Sequence, residues 1–381
     1  MNVVVAIDSF KGSLSSLEAG EACARGIKKA NPGASVTVMS LADGGEGTVS
    51  ALTNGMGGSL FSVEVCGPLK DDVTAVYGIA GDIAIIEMSA AAGITLIPEN
   101  KRNPLKTTTY GVGQIIKDAI SKGCRKFIVG IGGSATNDGG VGMLQALGYE
   151  FKDSAGKDIS FGAEGLKDIA SVSSKNAIKE LEKCEFRVAC DVDNPLCGPK
   201  GCSAVFGPQK GATESMILDM DSYLKHYSSV SIEYLRKDKY PCKIDKLESY
   251  PGAGAAGGLG FAFLAYLGAK LESGISIVLD EIHLEDYVKS ADIVVTGEGR
   301  LDSQTVMGKA PIGVAKLAKK YGKKVVAFSG CVTDDAGIIN EHGIDAFFPI
   351  LRGICTREEA LDVSNAAANL SAASEQVFRL I

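Results

Sequence analysis

The sequence predicts an α/β protein of two domains with a discontinuous chain. Three observations carry that expectation. Short, nearly continuous apolar runs such as Val3–Ile7 and Lys126–Val129 read as strands of a sheet buried on both faces. Both chain ends alternate such runs with helical patterns, the βαβ habit of parallel sheets. The middle has a different texture, with short strand candidates and repeated turn signals. One domain is therefore expected from residues 1–62 plus 285–381, and an inserted second α/β domain from residues 63–284.

The first strand, Val3–Ile7, leads to a helix that starts at a capping box, with Ser15 as N-cap and Glu18 reaching back. Ala19, Ala22, Cys23, Gly26, Ile27 and Ala30 then recur at helical spacing, and Asn31-Pro32-Gly33 ends the run. Ser35–Ser40 is the second strand. In the middle, Phe61–Val65, Ile83–Met88 and Phe186–Ala189 are strand candidates, and Gly67-Pro68, Gly198-Pro199 and Gly207-Pro208 are turns. Ser228 to Tyr250 is a polar connection or edge. Gly252–Gly260 precedes an apolar helical run, Phe261–Leu267, and either offers amides to an anion or lets a helix pack closely. In the last third, Ile293–Thr296 is a strand ending at Gly297, Pro311–Lys320 a helix, Lys324–Phe328 a strand ending at Ser329-Gly330, and Ala346–Pro349 another strand. A final helix starts at Thr356, capped with Glu359, and runs towards the C-terminus.

Composition removes several classes of function. The chain has 381 residues and a formal charge of −7, with no stripe of Lys or Arg, which excludes nucleic acid and anionic membranes as partners. No apolar run is long enough for a membrane span, and the N-terminus lacks the pattern of a signal peptide. Ten cysteines scattered over a chain of this size imply reduced thiols and a cytoplasmic location rather than a disulfide framework. Cys190, Cys197 and Cys202 lack paired zinc spacing, and the three histidines sit in no metal-ligand motif.

The chemistry gathers in polar, glycine-rich strand ends. Gly130-Ile-Gly-Gly-Ser-Ala-Thr-Asn-Asp-Gly-Gly140 follows a buried strand and bares main-chain amides, a composition suited to phosphate or carboxylate oxygens and equally to a tight turn. A Walker A loop is absent, since Gly308-Lys309 is followed by Ala310. A Rossmann fingerprint is nearly met by Gly130, Gly132 and Ala135, but Thr136–Gly140 interrupts the passage into a helix. The other strand ends hold Asp8 with Lys11, Asp43 with Glu46, Asp191 with Asp193, and Glu298 with Arg300 and Asp302. Phosphoryl transfer needs this inventory: amides and cations for phosphates, carboxylates for Mg²⁺, and one carboxylate to orient a hydroxyl. Alternation puts Asp191 and Asp193 on one side of an extended chain, where they share a metal or divide the metal and base roles.

Taken in order, six motifs resemble the type I glycerate kinase family over essentially the whole chain. They are Asp8-Ser-Phe-Lys-Gly-Ser-Leu14, Ala42-Asp-Gly-Gly-Glu-Gly-Thr48, Gly130 to Gly140, Cys190-Asp-Val-Asp-Asn-Pro-Leu196, Gly207-Pro-Gln-Lys-Gly211 and Thr296-Gly-Glu-Gly-Arg-Leu-Asp-Ser-Gln-Thr305. The resemblance implies one flavodoxin-like domain and one restriction-endonuclease-like or Rossmann-like domain with the active site between them. It also implies ATP-dependent phosphorylation of D-glycerate to 2-phosphoglycerate. On that footing Asp191 is the expected base, and Lys11 or Arg300 holds the substrate carboxylate beside Asp8, Ser9, Glu298 and Asp302. Gly132, Gly133, Ser134, Thr136, Asn137, Lys210 and Gly257 are expected to cradle the nucleotide, and Asp193 with Asp191, or else a neighbouring acid such as Asp8 or Glu298, to hold Mg²⁺. The competing readings are an NAD(P)-dependent dehydrogenase of a small hydroxy acid and a non-catalytic sugar-acid sensor. The oligomeric state stays open.

Overall fold

A computed structural model describes residues 1–42, 47–237 and 246–381. Asp43 and Glu46, with part of the Ser228–Tyr250 stretch, lie outside the described residues. In chain order the strands are β1 (Asn2–Val5), β2 (Ser35–Val38), β3 (Ser59–Cys66), β4 (Asp72–Ala80), β5 (Ile83–Glu87), β6 (Lys126–Gly130), β7 (Glu150–Lys152), β8 (Ser171–Ser173), β9 (Glu185–Ala189), β10 (Lys270–Glu272), β11 (Ile293–Leu301), β12 (Lys324–Val332) and β13 (Ala346–Pro349).

The chain divides into two compact units. One comprises Met1–Asp43, Ser50–Gly57 and Ile275–Ile381; the other comprises Gly44–Val49 and Gly58–Gly274. A break at 62/63 would cut β3, which pairs along its whole length with β4 and so stays with the second unit. Residues 275–284, assigned to the insertion by sequence, fall in the first.

The first unit holds a five-stranded parallel sheet in the order β13-β12-β11-β1-β2. Numbered within the unit, that is the 2-1-3-4-5 order of flavodoxin-like doubly wound sheets, whose direction reverses between β1 and β11. Its core joins Val3, Val5, Ile7, Ile293, Val295, Val326 and Phe328 to Ala19, Ala22, Cys23 and Ile27 of the helix Ser16–Ala30 and to Leu370 and Phe378 of the helix Val363–Phe378. The Ser15–Glu18 capping box forms as its spacing predicts. The Thr356–Glu359 box also forms, but it starts only the short helix Arg357–Leu361. Asp362 adopts ψ 127° and caps a separate helix from Val363, so the expected single C-terminal helix is two.

β11 and β12 run longer than their composition suggests. β11 continues through Gly297 to Leu301, pairing Glu298 with Ser329 and Arg300 with Cys331 on β12. Gly297 does not end the strand. A Cβ there would lie 2.1 Å from the Phe328 carbonyl oxygen, so glycine is what permits the close approach.

The second unit holds a six-stranded sheet, β10-β9-β6-β5-β4-β3, parallel from β10 to β5 and antiparallel through β4 and β3, and a separate β7–β8 pair. Tyr77, Phe127, Val129, Phe186 and Val188 share one apolar core with Val112, Ile115 and Ile116 of the helix Tyr110–Ser121 and with Phe261 and Phe263 of the helix Ala255–Leu267. β6 and β9 end in register, Gly130 beside Ala189. The segments that leave them therefore start side by side on one rim.

Candidate active site

In the first unit the candidate side chains sit where the strand order reverses, the crevice in which open α/β sheets bind ligands. The Asp8 N–H donates to the Gly297 carbonyl at 2.9 Å, which locks the β1 exit against β11. Gly299 lies under Lys11, so close that a Cβ would sit 3.4 Å from the Lys11 nitrogen. The Asp8 carboxylate accepts from the Ser9 N–H at 2.7 Å and is nearly buried. Glu298, also nearly buried, accepts from the Thr305 hydroxyl at 2.7 Å. Burial pushes its carboxyl up to about 7, with the Asp8 and Asp302 charges adding to the rise and Thr305 and Lys309 opposing it.

Asp302 has two jobs. It caps the turn Ser303–Met307 by accepting from the Gln304 N–H at 3.0 Å, and it pairs with Arg300 Nε at 3.2 Å. Arg300 is largely exposed, so that pair holds it loosely. Lys309, passed over in the sequence as part of a failed Walker motif, stands beside both Glu298 and Asp302. Its Nζ lies 3.8 Å from Glu298 and 3.7 Å from Asp302. Pro311, two residues on, is the sequence signal that a helix begins there and that Lys309 stands at its mouth.

In the second unit the Gly130–Gly140 loop separates into an exposed tip and a buried base. Gly132 and Gly133 are exposed, and Gly133 adopts φ +70°. Among the described residues, the N–H groups of Gly132, Gly133 and Ser134 donate to nothing. Three consecutive unengaged amides with a left-handed residue among them form a nest for an anion.

The base is a set of braces. Asp138, 1% exposed, accepts from the Thr109 N–H and hydroxyl, both at 2.8 Å, and from the Gly140 and Gly142 N–H groups at 3.1 and 3.3 Å. Even so, burial raises its carboxyl above the ordinary range. Thr136 and Asn137 are wholly buried, and Asn137 donates to the Ser203 hydroxyl at 2.9 Å. Gly257, at φ +68°, accepts from the Gly139 N–H through its carbonyl, and a Cβ there would meet the Thr136 carbonyl at 2.1 Å. Lys210 is buried beneath the loop. Thr136, Asn137, Lys210 and Gly257, grouped by sequence with the nucleotide ligands, are thus all buried. Ser203 and Thr109, which anchor that base, carry no motif that could have revealed them.

Asp191 and Asp193 follow the end of β9, and both are exposed. Asp191 accepts from the Gly274 N–H at 3.0 Å, which fixes one oxygen. Among the described residues no three His, Cys, Asp or Glu side chains are grouped to hold a metal ion. Two exposed carboxylates nonetheless suit Mg²⁺, which takes one or two of them and completes its shell with phosphates and water. The dehydrogenase fingerprint fails in structure as in sequence, because the helix after the loop begins only at Val141. No described helix is long and apolar enough to cross a membrane.

The sequence model of the glycerate kinase family matches residues 3–381. The chain belongs to the glycerate kinase family. Among curated relatives of this family, it is 46% identical to a glycerate kinase of Haemophilus influenzae, covering 100% of this chain and 99% of that one. It is 45% identical to the glycerate 2-kinase of Escherichia coli K12, covering 98% and 97%. Its fold is similar to a crystal structure assigned as glycerate kinase 2 from Salmonella typhimurium LT2, with a TM-score of 0.89 and 44% identity over 100% of this chain and 98% of that one.

Proposed function

We propose that this protein transfers the γ-phosphoryl group of ATP to the 2-hydroxyl of D-glycerate, releasing ADP and 2-phosphoglycerate. Membership of the glycerate kinase family and the relative called glycerate 2-kinase support the acceptor and the position. The observation that carries the donor side is the run of three unengaged amides at Gly132–Ser134 beside the Asp191 segment on the same rim. Phosphoryl transfer needs little covalent help from a protein. It needs in-line positioning and a match for the charge on the phosphoryl oxygens.

The nest receives nucleotide phosphates. Asp191, held by the Gly274 N–H, takes the proton of the 2-hydroxyl as that oxygen attacks phosphorus. Lys11 and Arg300 bind the glycerate carboxylate, while Asp8, Ser9, Glu298 and Asp302 fix its hydroxyls. Asp193 would hold Mg²⁺, which when bound neutralises charge on the bridging phosphate oxygens. A cytoplasmic location belongs to the same reading.

ADP release measured with glycerate, glycolate, lactate and tartronate, with the product identified by phosphorus NMR, tests the proposal. Turnover with glycerate and a 2-phosphoglycerate product are expected. A 3-phosphoglycerate product would overturn the regiochemistry, and no ADP release would overturn the activity. Asp191→Asn keeps the acceptor for Gly274 and should fold, yet lose on the order of 10²–10³ in kcat. Undiminished turnover in that variant removes Asp191 from the role.

A further inference from the structure

We propose that Lys210 is a positioning residue that acts through Ser134, holding its hydroxyl as a hydrogen-bond donor to a phosphate oxygen of the nucleotide. The proposal rests on the reading that the Gly132–Ser134 turn is the phosphate nest.

Lys210 has no route to the ligand itself. It is 2% exposed, and its Nζ donates to Ser134 Oγ at 2.8 Å and to the Thr136 carbonyl at 2.7 Å. An ammonium has only donors, so in the first of these bonds the serine oxygen must be the acceptor. Among the described residues Ser134 Oγ has no other partner. Its own hydrogen is therefore uncommitted, and the residue sits at the rim where the unengaged amides lie, at 8% exposure. A charged donor on one side of a hydroxyl polarises the O–H bond on the other, which makes that hydrogen a better donor to an anion. The lysine's charge reaches the phosphate through one oxygen atom and escapes the hydration that an exposed ammonium would carry.

The brace has fixed ends. Lys210 closes the turn Pro208–Lys210, where its N–H donates to the Gly207 carbonyl at 3.0 Å, and Gly211 follows at φ +88°. Burial lowers the ammonium to about 8, with the Asp138 carboxylate opposing that fall. The bond to the Thr136 carbonyl ties the same nitrogen to the loop's buried base, which fixes the distance between the lysine and the hydroxyl it serves.

The test is the dissociation constant of ADP with Mg²⁺ by calorimetry, for Ser134→Ala, Ser134→Thr, Lys210→Met and the Ser134→Ala/Lys210→Met double variant. Loss of one charge-assisted bond predicts a weakening of roughly tenfold for Ser134→Ala and for Lys210→Met, with Ser134→Thr close to wild type. The double variant should be no more than about twofold worse than either single one, because both changes remove the same contact. Losses that multiply to about a hundredfold would mean that Lys210 acts on the ligand independently, and would overturn the relay. If Lys210→Met fails to fold, an unchanged ADP constant in Ser134→Ala overturns it alone. Gly132→Asp, placed where an added Cβ meets open space, tests the underlying reading. Undiminished affinity there means the turn holds no phosphate. Lost affinity there with an intact Ser134→Ala constant means the nest stands and the relay fails.

Discussion

Asp138 illustrates what a buried carboxylate does for a loop with few side chains. Its two oxygens gather four donors, the N–H and hydroxyl of Thr109 and the N–H groups of Gly140 and Gly142, so the loop cannot relax without stranding polar hydrogens away from water. Asp138→Ala should destabilise the protein by about 3–5 kcal/mol in urea titrations, and a cost below about 1 kcal/mol would contradict that role. Glu298 makes a different prediction. Its folded carboxyl titrates at about 7 against an ordinary 4.5, so the folded chain holds the proton more tightly than the unfolded one. Stability from this residue is complete below 4.5 and is lost as pH rises through about 7, by at most about 3 kcal/mol. Glu298→Gln imitates the protonated form and can still accept from Thr305. The variant should gain on wild type between pH 5 and pH 8 in urea titrations, and an unchanged pH slope would refute the account. Neither residue's state was legible in the sequence, because burial and the Asp8 and Asp302 charges come from other segments.

Among the elements, the helix Ser16–Ala30 was the most readable and still held a surprise. Its capping box and apolar spacing are local, and Ser15→Ala should cost about 1 kcal/mol. Gly26, which fits the same apolar stripe, looks like a simple weakness at which alanine would be an improvement of about 1 kcal/mol. The structure reverses the sign. A Cβ there would lie 2.1 Å from the Ser371 carbonyl oxygen in the helix Val363–Phe378. Gly26→Ala should therefore be destabilising overall, by about 1–3 kcal/mol in thermal or urea melts. A stabilised variant would show that the two helices can part at little cost. Gly297 and the Gly257–Gly258 pair repeat the lesson: a glycine reads as a breaker in sequence and serves as a point of close approach in the fold. That is why β11 and β12 run on through Gly297 and Gly330, past the points where the sequence suggests they end.

For the molecule as a whole, each compact unit has its own apolar core, which predicts unfolding in more than one step. The chain lacks tryptophan, so single reporters are easily placed. Phe61→Trp in the second unit and Phe348→Trp in the first should report different urea midpoints, and coincident transitions in both variants would mean one cooperative unit. What the sequence determined by itself was whatever depends on neighbours along the chain. That includes the apolar strands, the capping boxes, the glycine-rich strand ends, and the six motifs that marked the glycerate kinase family before any geometry was known. Tertiary structure alone decided which polar groups face outward. It buried Lys210, Thr136 and Asn137, left the Gly132 and Gly133 amides bare, and set Lys309 between Glu298 and Asp302. The reason is physical. A side chain's type fixes which bonds it can make, but its partners and its share of water are set by segments distant in sequence.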